Sequence, residues 1–456
     1  MKKNLFQKLP KVDILMKSEK LEEISKKMSY HNYYQAVKDG IEFFRNKIKN
    51  RDIIDFTEDE VISKIKEISG IKSRPNLRRV INGTGTIIHT NLGRSILNEK
   101  ITENLKEIIL NYSNLEYDLE TGGRGSRYSH IEKLICDVTG AEGALVVNNN
   151  AAAVILCLNE FANGKKAIVS RGELVEIGGS FRIPEIMRLA GTILKEVGTT
   201  NKTHIFDYEE NIDEETSVLL KVHTSNFKII GFTEGVDNKD IAKLGKKYNI
   251  LSIEDLGSGV LIDFSKYGLP KEPTVQESIK SGIDIVTISG DKLLGGPQCG
   301  IILGKKQLIE KLKRNQFLRA FRVDKITISI LENIFQYYKD EREAIKEIPI
   351  LNMITEEKEK VFKRAEKLSA LLQIKNIENK IIETEAKIGG GSMPEETIGS
   401  YAISFTGDPV LLEQNFRYND IPIIGRIKND HFILDVKTLR ENDFEKIVEG
   451  AERIFL

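Results

Sequence analysis

Between residues 131 and 304, short runs of β-branched and other apolar residues alternate with helical segments. The predicted strands are residues 144–148, 166–170, 192–197, 217–222, 250–255, 284–288 and 299–304. Helical segments such as residues 131–139, 149–159 and 239–248 lie between several of them. This alternation is typical of an α/β fold with a mostly parallel central sheet covered on both faces. Ligands in such folds bind at the carboxyl ends of the strands.

A glycine-rich turn that contains one lysine follows the predicted strand at residues 284–288. The octapeptide at residues 289–296 reads SGDKLLGG, and its lysine is Lys292. A partly desolvated lysine at a strand end can lose its proton and form a Schiff base, as the lysines that hold pyridoxal phosphate do. The octapeptide alone is equally compatible with a surface lysine in a hairpin turn.

Pyridoxal phosphate also needs a carboxylate and a phosphate cradle, and both have candidates at strand ends. Asp255 ends a predicted strand, where its carboxylate would keep the pyridine nitrogen protonated; the alternative is a structural aspartate in a turn. The turn at Asn149, Asn150 and Ala151 can offer backbone N–H groups and the positive end of a helix to the phosphate. Simple helix capping is the alternative role for this turn.

The ring hydroxyl of the coenzyme has candidate partners in Ser225 and Asn226, which follow the predicted strand at residues 217–222. Each of these signals is weak alone. Their order along one parallel sheet predicts a pyridoxal phosphate site with Lys292 at its centre. The three cysteines lack metal-type spacing, so we predict no metal site.

The first 75 residues are predicted to be helical and amphipathic. Residues 1–50 carry a net charge of +6, and Tyr30, His31, Tyr33 and Tyr34 interrupt the basic surface. A small basic module with aromatic side chains suits a phosphate backbone and exposed bases. The alternative is an ordinary solvated helical face with a packing arm for a dimer.

The rest of the chain divides into a large and a small part. We predict a large α/β domain at residues 76–323 and a smaller α+β domain at residues 324–456. In the small domain, helices are predicted at residues 327–347, 355–372 and 441–454, with a loop at residues 388–394. A second loop, at residues 119–128, is rich in glycine and arginine. It could either bind an anion or serve as a flexible linker.

Composition excludes few functions. Lys plus Arg and Asp plus Glu both number 68, so the net charge favours no particular partner. No apolar stretch is long enough to span a membrane, and scattered cysteines fit a reducing compartment. We therefore expect a soluble cytoplasmic protein.

Many of these segments also resemble one family, the bacterial selenocysteine synthases, which are fold-type-I pyridoxal phosphate enzymes with an aspartate-aminotransferase-like fold. The resemblance is carried by motifs spread along the chain: residues 79–82, 89–94, 112–117, 122–127, 147–152, 170–173, 221–227, 289–296, 319–325 and 389–392.

The resemblance implies a reaction and a set of partners. Seryl-tRNA(Sec) would be converted to selenocysteinyl-tRNA(Sec) through an aminoacrylyl intermediate, with selenophosphate as the selenium donor. Lys292 would be the acid/base group, and Arg94, Arg319 and Arg322 would bind the oxyanion of the donor. Arg319 and Arg322, three residues apart, are expected to share one helix face. Without the family, an ion pair with glutamates of the small domain is the alternative for those two arginines.

The resemblance further implies that residues 1–75 bind the tRNA. It also implies a homo-oligomer, a ring of dimers expected to be a decamer, in which Arg94 and the loop at residues 124–127 act on a neighbouring subunit. A lyase of the same lineage, acting on a small amino acid or aminosugar acid without tRNA, is one alternative. An RNA-binding or scaffolding protein on a decayed enzyme fold is another, although Lys292 and Asp255 argue against decay.

Overall fold

The computed structural model describes residues 2–53, 55–177, 181–393 and 396–455. Its α-helices, in chain order, are α1 Lys2–Lys8, α2 Val12–Met16, α3 Glu22–Lys27, α4 Tyr30–Asn50, α5 Glu58–Ser73, α6 Glu99–Leu110, α7 Ser129–Thr139, α8 Asn150–Ala162, α9 Ile183–Leu189, α10 Ile205–Glu209, α11 Asn238–Tyr248, α12 Val275–Ser281, α13 Lys306–Leu312, α14 Leu318–Phe321, α15 Lys325–Tyr337, α16 Glu341–Glu347, α17 Pro349–Thr355, α18 Lys358–Ile374, α19 Pro409–Arg417 and α20 Phe444–Phe455. Its strands are β1 Ile81–Asn82, β2 Thr86–Ile88, β3 Gly143–Val147, β4 Lys166–Ser170, β5 Glu176–Ile177, β6 Phe181–Arg182, β7 Ile193–Val197, β8 Thr216–Val222, β9 Leu251–Gly257, β10 Ile285–Ser289, β11 Gly300–Gly304, β12 Asn379–Gly389, β13 Thr397–Phe405, β14 Ile423–Ile424, β15 Arg426–Lys428 and β16 His431–Asp435.

The chain divides into two compact units, Met1–Arg79 and Val80–Leu456. In the first unit, α4 and α5 pack so closely that a Cβ at Gly40 would lie 2.5 Å from Ile65 Cγ1. Helix α5 begins with a capping box, in which Thr57 and Glu60 each bond to the other's backbone N–H. The domain boundaries after residues 75 and 323 stay predictions.

A seven-stranded sheet forms the centre of the second unit, in the order β3-β11-β10-β9-β8-β4-β7. Strand β11 runs antiparallel to both neighbours, and the other pairs are parallel. Every residue of β3, β10 and β11 is buried, as expected for strands of a sheet covered by helices on both faces. The mostly parallel sheet predicted from the alternating pattern is confirmed, and its carboxyl edge brings distant loops together.

A second sheet lies nearer the C-terminus, in the order β15-β16-β13-β12-β2. Its last strand, β2, comes from the segment before the large sheet and pairs in parallel with β12. At the join, a Cβ on Gly85 would lie 2.4 Å from Asp435 Oδ2, so only glycine fits there. Arg426 pairs with the same carboxylate at 2.7 Å.

Two details of this region differ from the prediction. The helix predicted at residues 327–347 is two helices, α15 and α16, because Asp340 starts a new one by accepting hydrogen bonds from the N–H groups of Arg342 and Glu343. Strand β12 was not predicted, and it takes in Ile388 and Gly389 from the predicted loop at residues 388–394. Pro394, the last residue of that loop, lies outside the described residues.

Candidate active site

Lys292 lies in the turn that follows β10, as predicted. The Gly290 N–H donates to the Cys299 carbonyl at 2.9 Å, and the Gly296 N–H donates to the Gly290 carbonyl at 2.8 Å. A Cβ at Gly290 would lie 2.3 Å from Cys299 Sγ, so the tight turn requires glycine there. The turn therefore fixes the position of Lys292 against the core.

The Lys292 amine is buried, with 5% of the residue exposed. Burial lowers its pKa from the ordinary lysine value; the nearby Arg94 lowers it further, whereas the Asp255 carboxylate opposes the shift. The alternative of a surface lysine is thereby excluded. A buried amine with a lowered pKa is suited to nucleophilic attack on an aldehyde.

Asp255 lies at the same edge of the sheet, near the end of β9, the strand beside β10. Its Oδ1 accepts hydrogen bonds from Asn150 Nδ2 at 2.8 Å and from Thr287 Oγ1 at 3.1 Å. Burial raises the pKa of this carboxyl, and the two hydrogen bonds oppose the shift. The carboxylate is thus held in a fixed direction within reach of the Lys292 charge.

Helix α8 starts beside this carboxylate. Asn149 caps it, since its Oδ1 accepts from the Ala152 N–H at 2.8 Å. The Asn149 side chain therefore has the helix-capping role that was the alternative for this turn. Asn150 turns its amide to Asp255, and Ala151 lies half-buried in the first turn of this 13-residue helix. The first turn keeps its backbone N–H groups and dipole at the site, as an anionic phosphate requires.

The segment after β8 borders the same space. The His223 N–H donates to the Asp255 carbonyl at 2.9 Å. A Cβ at Gly257 would lie 3.8 Å from Ser225 Oγ and 3.9 Å from Asp255 Oδ1, so these two oxygens flank one gap. Asn226 donates its side-chain amide to the Glu176 carbonyl at 2.9 Å. Ser225 and Asn226 are the two predicted partners for a ring hydroxyl. Of these, Ser225 borders the same gap as the Asp255 carboxylate.

A loop from the second sheet closes the site on another side. Gly389, Gly390 and Gly391 all have left-handed φ angles, between 67° and 79°. A Cβ at Gly391 would lie 3.5 Å from Asn226 Cβ and 4.0 Å from Lys292 Nζ. The loop thus brings bare backbone against the lysine.

Several buried polar atoms around this space lack a hydrogen-bond partner within the described parts of the chain. They are Asn150 Oδ1, Asn226 Oδ1, Ser258 Oγ, Asp291 Oδ1 and Ser392 Oγ. A buried polar atom without a partner costs roughly 1–3 kcal/mol, so such a group of atoms points to a polar ligand that completes them. Together with the lysine, the carboxylate and the helix start, they fit pyridoxal phosphate.

Arg94 reaches the same region from the segment after β2. Like the preceding Gly93, Arg94 has a left-handed φ, which is 61°. Its Nη1 lies 2.7 Å from Asp291 Oδ2. Asp291 precedes Lys292, so this arginine lies beside the lysine of its own chain. An arginine held by one carboxylate oxygen can still offer its other N–H groups to an anion.

Arg319 and Arg322 lie elsewhere, and the expectation that they share a helix face is wrong. Arg319 belongs to the short helix α14, but Arg322 follows it with an extended ψ of 143°. Both line a cavity of about 370 Å³ with Arg124 and Arg127. Hydrogen bonding to Arg127, together with the charges of Arg322 and Arg124, lowers the pKa of Glu116 in this cavity.

This arginine cavity adjoins the start of α8. The Asn148 N–H donates to the Phe321 carbonyl at 2.9 Å, and Arg322 forms a bridge with Val147. Arg322 does form an ion pair, with its Nη1 3.9 Å from Glu116 Oε1, but this glutamate lies in the predicted large domain and not in the small domain as that alternative required.

Sequence reasoning missed three members of the site. Thr287 bonds to Asp255, Asp291 pairs with Arg94, and His223 Nε2 lies 2.8 Å from Glu272 Oε1. Thr287 lies two residues before the octapeptide and Asp291 lies within it, directly before Lys292, so proximity to this lysine was a usable signal. The partners of Asp291 and His223 are too distant in sequence for any local pattern to indicate.

Comparison with known proteins adds the following. The family model described as SelA, L-seryl-tRNA selenium transferase, matches residues 80–440. The chain is 50% identical over 458 residues to an L-seryl-tRNA(Sec) selenium transferase of Clostridium botulinum strain Okra, covering 99% of both proteins. It is 48% identical over 459 residues to the protein of that name from Caldanaerobacter subterraneus, covering 99% of this chain and 98% of the relative.

Among solved structures, D-glucosaminate-6-phosphate ammonia-lyase superposes with a TM-score of 0.57 at 19% identity. The match covers 83% of this chain and 96% of the lyase. At this identity the likeness concerns the fold alone, and it agrees with the predicted fold class.

Proposed function

The chain belongs to the L-seryl-tRNA selenium transferase family, and from this membership we infer that it converts seryl-tRNA(Sec) to selenocysteinyl-tRNA(Sec). It is a pyridoxal-phosphate-dependent transferase that uses selenophosphate as selenium donor. The full-length relatives at about half identity favour this activity over a lyase that acts on a small amino acid or aminosugar acid.

One observation carries the proposal: three elements meet at the carboxyl edge of the sheet with the groups that the coenzyme needs. The buried Lys292 follows β10, Asp255 lies in β9, and Asn150, bonded to Asp255 at 2.8 Å, opens α8. Lys292 would bind the aldehyde, Asp255 the ring nitrogen, Ser225 or Asn226 the ring hydroxyl, and the turn at Asn149–Ala151 the phosphate.

When bound, pyridoxal phosphate supplies an electron sink that makes the Cα proton of serine acidic and lets the group on Cβ leave. Lys292 Nζ would take the Cα proton, a role that its lowered pKa supports. Asp255 would hold the ring nitrogen, and its bonds to Asn150 and Thr287 keep the carboxylate oriented. Hydroxide is a poor leaving group, so the same ammonium is also suited to protonate it.

The selenium donor is an oxyanion, and we assign its binding to Arg94, Arg319 and Arg322. Arg94 supports this role by its place beside Lys292, and the other two by the arginine cavity next to α8. Arg319→Ala and Arg322→Ala are expected to raise the KM for selenophosphate at least tenfold and leave the coenzyme absorbance unchanged. Arg188→Ala, which removes only a surface pair with Glu185, is the matched control. An unchanged KM in both variants would contradict the assignment.

The N-terminal unit supports tRNA binding by its charge and its aromatic side chains. Tyr30 and Tyr34 stack with ring centroids 6.4 Å apart, and Tyr30 is 77% exposed. An exposed aromatic pair on a basic helix offers stacking for unpaired bases and attraction for phosphates.

Assembly and location form the remaining part of the proposal. We expect a homo-oligomeric ring of dimers, in the decameric form that the family resemblance implies, and a cytoplasmic location where charged tRNA is available. Within the described residues, no helix is both long and apolar enough to cross a bilayer.

The direct test is conversion of seryl-tRNA(Sec) by the purified protein with selenophosphate. Wild type should form selenocysteinyl-tRNA and show the near-visible absorbance of a lysine-bound coenzyme. Lys292→Ala should lose both, whereas Lys346→Ala, at a surface lysine that is 79% exposed, should lose neither. Product formation by Lys292→Ala, or colourless wild-type protein after incubation with the coenzyme, would overturn the proposal.

A further inference from the structure

A second cavity borders the Lys292 site on the side of the segment after β8. It has a volume of about 530 Å³, within the range of roughly 300–1,000 Å³ typical of small-molecule pockets. Its lining includes the hydroxyl-bearing residues Thr200, Thr224 and Thr233 and the lysines Lys202 and Lys228.

The wall between the two spaces is one segment of backbone. His223 and Thr224 line the cavity, while Ser225 flanks the Asp255 carboxylate and Asn226 approaches Gly391 beside Lys292. Residues 223–226 therefore border both the predicted coenzyme site and the cavity.

The rim of the cavity is formed by Ile230, which lines it, and by Phe232, two residues further along the same segment. Ile230 is 82% exposed and Phe232 is 90% exposed. The Phe232 carbonyl accepts a hydrogen bond from Asn201 Nδ2 at 2.6 Å, and the Glu234 N–H donates to the Asn201 carbonyl at 3.0 Å. The segment therefore holds an exposed aromatic ring and an exposed aliphatic side chain beside the cavity, where both can contact a base.

The proposed substrate must place a nucleoside close by. In seryl-tRNA, three covalent bonds join the serine Cα to the ribose of the terminal nucleotide, a reach of about 4 Å. If the serine amine lies at Lys292, the ribose lies within a few ångströms of residues 223–226 and the base just beyond. Hydroxyl side chains suit a ribose, a lysine suits a phosphodiester, and exposed aromatic rings stack on bases.

We propose that this cavity, with its rim at Ile230 and Phe232, binds the 3′-terminal nucleoside of the aminoacyl-tRNA substrate. The inference rests on the proposed function and names a subsite for it. It assigns stacking on the base to Phe232 and Ile230, contact with the ribose to the threonine hydroxyls, and attraction of the adjoining phosphate to Lys202.

The test compares two ligands of the holoenzyme by isothermal titration calorimetry without the selenium donor, each with an amide in place of the ester of seryl-tRNA. One is 3′-(L-serylamino)-3′-deoxyadenosine, which keeps the terminal nucleoside, and the other is L-serinamide, which lacks it. Wild type should bind the adenosine conjugate at least tenfold more tightly, since one base stack is worth about that factor. Phe232→Ala and Ile230→Ala should each lose most of that preference and keep the affinity for serinamide. Leu411→Ala, at an exposed apolar residue of α19, is the matched control and should change neither affinity.

Three results would overturn the inference: equal affinity of wild type for the two ligands, an unchanged preference in both rim variants, or a rim variant that alters only the oligomeric state. The last would mean that another protein chain covers the rim. Conversion of seryl-tRNA(Sec) by wild type is measured in parallel. Intact conversion with no preference for the conjugate contradicts the subsite alone, whereas absent conversion contradicts the proposed function as well.

Discussion

At the scale of single residues, Asp255 is the side chain whose charge matters most for the proposed chemistry. Asp255→Asn keeps the size of the side chain but removes the negative charge that would face the ring nitrogen. We expect conversion to fall about a hundredfold or more, as with other losses of fixed charge in a catalytic site, while the coenzyme still binds. Single-turnover kinetics and the absorbance spectrum measure the two effects separately.

The matched control is Asp284→Asn, at the opposite end of the adjacent strand. Asp284 bonds to Lys305 and to the Ser252 N–H, so this change should lower the melting temperature and leave the absorbance of the bound coenzyme unchanged. Equal losses of conversion in the two variants would mean that Asp255 acts only through stability.

Lys437 offers a prediction about pH at a residue outside the site. It is fully buried, its Nζ donates to the Glu356 carbonyl at 2.9 Å, and burial lowers its pKa to about 8. Between pH 8 and the unfolded value near 10.5, the unfolded chain binds more protons, so this residue makes stability rise with pH. Relative to Lys437→Met, wild type should gain up to about 3 kcal/mol across that window.

Guanidinium unfolding of both proteins at several pH values checks this expectation. Only the difference between them is informative, because buried tyrosines and cysteines also titrate in the alkaline range. A difference that stays constant from pH 7 to 10.5 would contradict the lowered pKa of Lys437.

At the scale of elements, the join between β2 and the second sheet depends on Gly85. Its φ is 76°, and a Cβ there would meet Asp435, which Arg426 and Ser400 hold in place. Gly85→Ala should destabilise the protein by a few kcal/mol, since backbone strain and a steric clash add. Gly140→Ala is the matched control, because Gly140 has a φ of 77° and open space around it.

Melting temperatures of the two glycine variants measure the difference. Gly140→Ala should cost only the strain of the left-handed conformation, about 1–2 kcal/mol. Equal shifts in the two variants would mean that the Asp435 contact contributes nothing.

The elements that were predicted correctly and those that were missed differ in the source of their stability. Strands such as β10 and β11 are continuous apolar runs buried on both faces, so the sequence alone indicates them. Strand β12 carries Lys380, Glu383, Glu385 and Lys387, and it is a strand because it pairs over nine residues with β13. Such pairing is set by tertiary contacts that no local pattern reports.

The same distinction holds for the site. Lys292, Asp255 and Asn150 could be predicted because each stands at a strand end, and parallel strands end at one edge. The pairing of Arg94 with Asp291 joins residues 197 positions apart, and the different backbone of Arg322 depends on its bridge to Val147. No pattern within a single segment of the sequence indicates either of these two features.

At the scale of the whole molecule, the N-terminal unit tests the RNA part of the proposal. A chain that begins at residue 80 keeps the second compact unit entire, so it should retain the coenzyme absorbance. It should no longer give a gel shift with tRNA(Sec), because the basic surface is removed. For the same reason, its rate of conversion should fall at least a hundredfold. Thr57→Ala, which only weakens the cap of α5 by about 1 kcal/mol, is the control that should keep both. Full tRNA binding by the shortened chain would contradict the assigned role.

The three glycines at residues 389–391 have a further consequence for the kind of amino acid that can be accommodated. An enzyme that takes a free amino acid must neutralise a carboxylate with a cation close to the coenzyme. The face presented to Lys292 by this loop has no side chains at all. The loop itself thus supplies no counter-charge for the carboxylate of a free amino acid, and Arg94, the cation beside Lys292, is already paired with Asp291. Such a face suits a serine whose carboxyl group is already esterified.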